Sequence, residues 1–293
     1  MELRTDLALE VKEQTNTQTD GLHLKTNYTH GLKVTTMDIV TDAAAKKMQK
    51  PLGTYITIEH MPLTDSIQDA KEQTDVLAQE LRRFLPTEGS VLVVGLGNSN
   101  ITPDALGVRS ADHVLATRHI SGEIARSSGL DQLRPVSVIA PGVLGQTGIE
   151  SAEMVASVVK SIRPAAVIVI DSLASCSLSR LGCTIQITDT GIAPGAGVQN
   201  SRRPISPKGL NVPVIAIGVP TVVEARTLVI DILEQDGISA MALDKVLPHG
   251  THMIVTPSEI DLLIERAAAI IGMAVNIALH HKLSPDDLRL LCG

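Results

Sequence analysis

Apolar and polar positions alternate in blocks along the chain from about residue 88 onwards. Short apolar runs predict buried strands, and several of the stretches between them have the spacing of amphipathic helices. The predicted strands are Val91–Gly97, Val136–Ala140, Ala166–Ile170, Thr184–Ile187 and Val214–Gly218. The predicted helices are Asp104–Thr117, Ile149–Ser161 and Val222–Gln235. This order predicts an α/β fold with an open, mostly parallel sheet flanked by helices.

Residues 1–65 have a different pattern. They are rich in threonine and contain two short alternating segments, Lys33–Val40 and Tyr55–Glu59, that predict strands. The amphipathic stretch Asp65–Phe84 follows and predicts a helix. We therefore expect a smaller N-terminal α+β subdomain, residues 7–65, packed on the sheet of a larger α/β domain, residues 66–293.

The clearest helical pattern lies near the C-terminus. Thr256 is a candidate N-cap, Pro257 occupies the first helical position and Glu259 completes a capping box. The sequence that follows, IDLLIERAAAIIGMAVNIALHH, is apolar on most faces. This pattern predicts a well-buried helix.

The composition narrows the class of protein. Hydrophobic residues make up 44% of the chain but aromatic residues only 1%, so the core must be aliphatic, as in a parallel sheet. A net charge of -7 without a basic run argues against nucleic acid as a partner. No apolar run approaches the length of a membrane span, so no membrane partner is expected. Three cysteines without metal-like spacing are typical of a reducing cytoplasm.

The turn after the first predicted strand begins like a dinucleotide-binding site. Gly95 and Gly97 match the first two glycines of that fingerprint, but Asn100 stands at the third position. Asp104 then puts a carboxylate at the start of the next helix, where a phosphate would be repelled. A non-enzymatic nucleotide-binding module stays open as an alternative, with both features against it.

Two aspartates are candidates for acid–base chemistry. Asp171 directly follows a predicted strand and Asp104 follows another by a short loop. Ligands of open α/β sheets bind beyond the carboxyl ends of the strands, so both carboxylates would face one crevice if the strands are neighbours. Two carboxylates that share a site do not ionise together easily, so one would take a proton from water while the other polarises a carbonyl. The alternatives are that Asp104 complements a helix dipole and that Asp171 is a helix N-cap.

The other candidate residues give weaker signals. No histidine has an acid or cysteine partner at metal-ligand spacing, so neither a metal nor another cofactor is predicted. The glycines of PGVLGQTGIE permit a tight turn or let a peptide backbone approach closely. Residues 189–211 hold four glycines and three prolines and predict a long functional loop.

Five sequence blocks resemble those of the germination proteases of spore-forming Firmicutes. The blocks are GLGNSNITPDALGVR, PGVLGQTGIE, VIVIDSLAS, TIQITDTGIAPGAGVQN and VPVIAIGVPTVVEA. They come in the family's order and span most of residues 1–281. The first block also resembles hydrogenase maturation proteases more distantly. In that family the two matching acids bind nickel together with a histidine, for which this chain has no convincing match.

The resemblance implies an atypical aspartic-type endopeptidase that acts on small acid-soluble spore proteins in the cytoplasm of the forespore and the spore core. The two catalytic aspartates of the family fall on Asp104 and Asp171. The resemblance also suggests a homotetramer. Glycine-rich loops would border the substrate groove, with the predicted substrate-binding residues Gly97, Asn98, Gly145, Thr147, Gly148, Gly191, Gly195 and Gly197. A metal-binding maturation protease is the alternative.

The resemblance further implies a zymogen that trims its own N-terminus. The family cuts substrates after Thr-Glu, before an apolar residue and alanine. Thr5-Asp6-Leu7-Ala8 imitates that site with aspartate in place of glutamate. We therefore predict a propeptide of residues 1–6 and cleavage between Asp6 and Leu7.

Overall fold

The computed structural model describes residues 5–15, 19–63, 70–120, 122–127, 130–194, 203–235 and 253–292. The strands are β1 Leu22–Thr29, β2 Leu32–Ile39, β3 Gly53–Glu59, β4 Val91–Gly95, β5 Val136–Ile139, β6 Ala166–Ser175, β7 Thr184–Thr188, β8 Val214–Glu224 and β9 Ile254–Val255. The helices are α1 Ala8–Thr15, α2 Asp42–Met48, α3 Lys71–Arg82, α4 Leu106–Asp112, α5 Gly122–Ser127, α6 Leu144–Thr147, α7 Ser151–Ile162, α8 Pro207–Leu210, α9 Ala225–Gln235, α10 Ile260–Leu279 and α11 Pro285–Cys292.

One open sheet runs through the described part of the chain in the order β1-β2-β3-β7-β8-β6-β4-β5, and β9 pairs with β8. The strands β5, β4, β6 and β8 are parallel to one another, whereas β7 and the three N-terminal strands pair in antiparallel fashion. The predicted α/β fold with an open sheet flanked by helices is confirmed. The N-terminal strands continue this sheet through the β3–β7 pair, and the predicted division at residue 65 stays a prediction.

Alternation along the central strands separates two apolar layers. In β4, Val91 and Val93 face the cluster that includes α3, α4 and α10, while Leu92 and Val94 face the cluster built on α7. Every residue of this strand is buried, as expected for a parallel strand covered on both faces. The helices thereby hold the carboxyl ends of the parallel strands at one edge.

The helix α10 is long and apolar enough to cross a membrane by length and composition, contrary to the sequence-based expectation. About two thirds of it is buried inside the protein, where it packs against α3 and α4. This packing is that of a core helix. The helix begins at Ile260, with Glu259 as an N-cap that makes no side-chain cap bond. The predicted capping box is wrong, because the Thr256 hydroxyl donates instead to the Thr221 carbonyl across the fold (3.1 Å).

The strands β6 and β8 are longer than predicted. Each continues several residues past its apolar run because the two strands stay paired as far as Ser175 and Val223. As a result α9 begins at Ala225 rather than at the predicted Val222. Long-range pairing supplies backbone hydrogen bonds that local sequence patterns do not indicate.

The helix α4 is shorter than the predicted Asp104–Thr117. A 3-10 turn, Thr102–Asp104, precedes it, and it ends at Asp112. The Asn276 side chain of α10 ends it by accepting from the Leu115 N–H (2.9 Å) and donating to the His113 carbonyl (2.8 Å). A tertiary contact therefore overrides the local helical pattern.

Candidate active site

Asp171 lies inside β6, between β4 and β8 at the point where β4 has ended. It pairs with Gly218 of β8, while the last contact with the β4 side is the Leu96 N–H donating to the Ile170 carbonyl (2.8 Å). The expectations that a strand ends before Asp171 and that Asp171 caps a helix are wrong, because Ser172 continues the strand. The residue is only 5% exposed and lines a cavity.

The turn after β4 brings Asp104 close enough to Asp171 for the charge of Asp104 to act on it. The Asn98 N–H donates both to the Asp104 carbonyl (3.0 Å) and to its carboxylate Oδ2 (2.9 Å). A Cβ added at Gly97 would lie 1.8 Å from the Asp104 carbonyl oxygen, and Gly97 has a φ of 110°. The turn closes on itself so tightly that only glycine fits there.

Gly95 at the end of β4 and Gly107 in α4 allow close packing of the chain on either side of this turn. A Cβ added at Gly107 would lie 2.2 Å from the Ile170 carbonyl oxygen and 2.4 Å from that of Leu96. A Cβ at Gly95 would lie 2.1 Å from the Gly107 carbonyl oxygen. These close approaches seat α4 directly on the strands and account for the glycines without a bound phosphate.

The two aspartates interact electrostatically. Burial raises the pKa of Asp171 well above its ordinary value, and the nearby charge of Asp104 raises it further. The Ser172 N–H donates to Asp171 Oδ1 (2.9 Å) and opposes this shift of the pKa, and the charge of Asp6 adds to it. The raised pKa favours the protonated form of Asp171 at a pH where an exposed aspartate is charged.

A cavity of about 560 Å³ opens beside Asp171. Its lining joins Asp171 to Asp6 of the N-terminal segment, to Lys50, and to polar residues of β7 such as Gln186. Residues beside the Ile192–Ile205 bridge, such as Gly191 and Pro204, form another wall. A cavity of this size is large enough to bind several residues of an extended peptide.

The N-terminal segment lines this cavity at Asp6, just before helix α1. The Asp6 N–H donates to the Ala174 carbonyl (2.9 Å), and the Ala174 N–H donates back to the Asp6 carboxylate (2.8 Å). Leu7 and Ala8 are fully buried. Thus both residues of the predicted cleavage site, Asp6 and Leu7, are fixed within or next to the cavity that Asp171 lines.

Downstream of this site, the helix α1 is anchored by Glu10. This buried carboxylate accepts from the Cys176 N–H (2.9 Å), the Ser177 N–H (3.1 Å) and the Thr5 hydroxyl. Burial raises the pKa of Glu10, and these hydrogen bonds partly oppose the shift. The segment is therefore anchored on both sides of the Asp6–Leu7 bond.

The predicted substrate-binding residues do not all lie at the cavity. Gly191 lines it, and Gly97 and Asn98 belong to the turn that holds Asp104. Gly195 and Gly197 lie outside the described residues.

Of the remaining three predicted substrate-binding residues, Gly145 and Thr147 lie in the short exposed helix α6, and Gly148 is its C-cap. This helix contacts the turn that holds Asp104 where the Gln146 side chain donates to Asn98 Oδ1 (2.6 Å). The Thr147 hydroxyl is engaged locally, with the Val143 carbonyl and the Ile149 N–H. The prediction that these residues bind substrate stays a prediction.

Sequence reasoning missed Lys50 and Gln186. Gln186 is a polar residue inside the buried strand β7, TIQIT, and such an interruption is a signal that could have been used. Lys50 follows α2 in a short loop and has no local signal. Only the fold brings it to Asp6.

A pH dependence of stability follows from the buried Asp171. Because its pKa is raised in the folded state, the neutral form stabilises the fold below the ordinary pKa of aspartate, and this stability is lost as the pH rises towards the folded-state pKa. We therefore expect Asp171→Asn to gain thermal stability relative to the wild type, with a difference that grows as the pH rises above about 4. Melting temperatures across pH 3 to 8 would test this; a difference independent of pH would contradict it.

An open α/β sheet with two interacting carboxylates, one of which lines a cavity together with the chain's own N-terminal segment, has the features of a hydrolase. Among the described residues, no group of three or more His, Cys, Asp and Glu side chains could hold a metal ion. The model of the germination protease family matches residues 2–236.

Similar proteins extend over nearly the whole chain. A germination protease of Caldanaerobacter subterraneus subsp. tengcongensis is 41% identical over 99% of this chain and 98% of its own. One from Clostridium perfringens is 39% identical over 98% of both chains, and one from Priestia megaterium is 34% identical over 97% of this chain and 95% of its own. The chain therefore belongs to the germination protease family, and it is a protease.

A solved structure with some similarity is the [NiFe] hydrogenase maturation protease HycI from Thermococcus kodakarensis KOD1. It is 16% identical, has a TM-score of 0.38, and the match covers 68% of this chain and 98% of that one.

Proposed function

We propose that this protein is an endopeptidase that starts the degradation of small acid-soluble spore proteins during germination, by aspartic-type hydrolysis with Asp104 and Asp171. The observation that carries the proposal is that the charge of Asp104 acts on Asp171, and that Asp171 lines a cavity which is also lined by Asp6 of the substrate-like N-terminal sequence. Family membership supports the protease role, and the geometry supports these two residues as its acid and base.

The environments of the two carboxylates support different roles. Asp171 is buried, its pKa is raised and it holds the proton. Asp104 accepts the Asn98 N–H, a contact that suits a charged carboxylate (2.9 Å). A buried carboxyl with a raised pKa suits the acid role, and a carboxylate that accepts a backbone N–H suits the base role.

The proposed reaction uses both groups in sequence. Asp104 takes a proton from a water molecule, whose oxygen attacks the carbonyl carbon of the peptide bond. Asp171 then gives its proton to the amide nitrogen as the C–N bond breaks. The products are a carboxylic acid and an amine, and proton exchange within the pair restores the starting state.

The N-terminal segment supports synthesis as a self-processing zymogen. Thr5-Asp6-Leu7-Ala8 has the sequence expected of a cleavage site, and Asp6 lines the same cavity as Asp171. While the segment stays there it occupies space that a protein substrate would need. Removal of residues 1–6 would free that part of the cavity.

The processing proposal predicts a defined product. We expect the full chain to convert to a form that begins at Leu7, and that form to cleave a peptide containing Thr-Glu-Ile-Ala after the glutamate. Intact mass and fragment masses would measure both events, with Asp171→Asn as the inactive control. A mature protein that still begins at Met1 or Glu2 would contradict the processing step.

A chelator distinguishes the remaining alternative. We propose that catalysis needs no metal, so cleavage should persist in EDTA. Loss of activity in EDTA with recovery on adding nickel would favour a maturation-type metal site instead.

We further propose that the protein acts in the cytoplasm of the forespore and the spore core as a homotetramer. Light scattering would measure the mass of the assembly.

A further inference from the structure

The carbonyl oxygen of Asp6 receives two side-chain hydrogen bonds. Lys50 Nζ donates to it over 2.9 Å and Gln186 Nε2 over 3.3 Å. This oxygen belongs to the peptide bond between Asp6 and Leu7, which we propose to be cleaved. Lys50 Nζ also donates to the preceding carbonyl, that of Thr5, over 3.3 Å.

We infer that Lys50 and Gln186 form the oxyanion hole of this protease, and that they stabilise the negative charge on the carbonyl oxygen of the bond under attack. The inference rests on the proposed function. When the oxygen of water bonds to the carbonyl carbon, the π electrons of the carbonyl move onto its oxygen. An ammonium and an amide N–H that already point at that oxygen stabilise the charge without reorganisation.

Gln186 is placed to act on both sides of the bond. Its Oε1 accepts from the Ala8 N–H (2.8 Å) while its Nε2 donates to the Asp6 carbonyl. The amide thus spans the peptide bond and fixes the two residues that flank Leu7. Because β7 is a buried strand, the side chain projects from a rigid position.

Lys50 supplies a cation in a region of negative charge. The pKa of the Lys50 ammonium is lowered from its ordinary value, because burial outweighs the carboxylates of Asp6 and Glu10, which raise it. Two carbonyl oxygens accept from Nζ, so the hydrogen-bonding pattern requires a donor there. An incoming substrate with glutamate in place of Asp6 would bring the same negative charge to this lysine.

The same contacts explain how an acidic residue before the cleaved bond is recognised. The register of the β6–β8 pair shifts between Leu173 and Ala174, and Ala174 exchanges hydrogen bonds with Asp6. The Ala174 carbonyl holds the backbone N–H of this residue, and the Ala174 N–H recognises its carboxylate. These contacts hold the Asp6 carbonyl group against Lys50 Nζ and Gln186 Nε2.

The test uses self-processing of the full chain. Lys50→Met removes the ammonium at similar length, and Gln186→Glu removes the donor to the Asp6 carbonyl but keeps an acceptor for the Ala8 N–H. We expect each variant to cut the Asp6–Leu7 bond about 100-fold more slowly than the wild type, the effect of losing one oxyanion donor. The matched control, Lys47→Met, changes an exposed lysine of α2 and should process at the wild-type rate.

A second measurement separates stabilisation of the transition state from positioning. Hydrogen exchange of residues 5–15 reports whether the segment is still seated, and the inference expects wild-type protection in Gln186→Glu. Lys50→Arg, which keeps a cationic donor, should recover part of the rate lost in Lys50→Met. A folded Lys50→Met or Gln186→Glu variant that processes at the wild-type rate would overturn the inference. So would a loss of processing rate that is matched by an equal loss of hydrogen-exchange protection in residues 5–15.

The outcomes also separate the two proposals. If the wild type and both variants cut the bond equally fast, the oxyanion assignment fails and the protease proposal stands. If the wild-type chain leaves the bond intact, self-processing at Asp6–Leu7 is wrong and the assignment fails with it. Cleavage of the Thr-Glu-Ile-Ala peptide by the form beginning at Leu7 would still support the protease role in that case.

Discussion

Asp171→Asn is expected to abolish peptide cleavage while the protein remains folded. The substitution keeps the shape of the side chain and its acceptor for the Ser172 N–H, but it removes the proton that the leaving amine needs. Loss of a general acid or base costs about 100- to 10,000-fold in rate. The rate of appearance of peptide fragments, followed by mass spectrometry, would measure the loss.

Asp104→Asn should lose activity to a similar extent for a different reason. It removes the carboxylate that accepts the proton from water, and it also removes the charge that raises the pKa of Asp171. Asp112→Asn, an exposed aspartate at the end of α4, is the matched control and should keep wild-type activity. Retained cleavage in both Asp104→Asn and Asp171→Asn would refute the pair as the catalytic groups.

The central strands could be predicted because each is buried on both faces and is therefore a short, mostly apolar run in the sequence. Val91–Gly95 and Thr184–Thr188 agree with the predicted strands to within two residues. Where the structure departs from prediction, a partner distant in sequence is responsible. The strand β6 runs past Asp171 because β8 extends beside it, and α4 stops where the Asn276 side chain binds its end.

The candidate site likewise contains residues that could be predicted from the sequence and one that could not. Asp104 and Asp171 could be proposed from their places after apolar runs, since ligands of open α/β sheets bind beyond the carboxyl ends of the strands and the family resemblance falls on the same pair. Lys50 could not, because a lysine in a short loop is ordinary until the antiparallel β3–β7 pair brings that loop to the cavity. Charged groups that act across a fold leave no periodic signal in the sequence.

Gly97→Ala is expected to destroy activity by displacing Asp104. The added methyl group would meet the Asp104 carbonyl oxygen at 1.8 Å, and the φ of 110° is itself unfavourable for alanine. The turn must open, which breaks the two hydrogen bonds that the Asn98 N–H donates to Asp104. A displacement of about 1 Å at a catalytic group costs on the order of 100-fold in rate.

The same substitution should lower the free energy of unfolding by roughly 2 to 6 kcal/mol, the sum of backbone strain and overpacking. Gly145→Ala provides the control, because a Cβ there would meet no atom within 4 Å, and its melting temperature should equal that of the wild type. If Gly145 borders the substrate groove as predicted, its variant would raise KM for the peptide and leave kcat unchanged. A folded Gly97→Ala protein with wild-type kcat would show that the position of Asp104 does not limit the reaction, and the role of Asp104 as the base would then have to be abandoned.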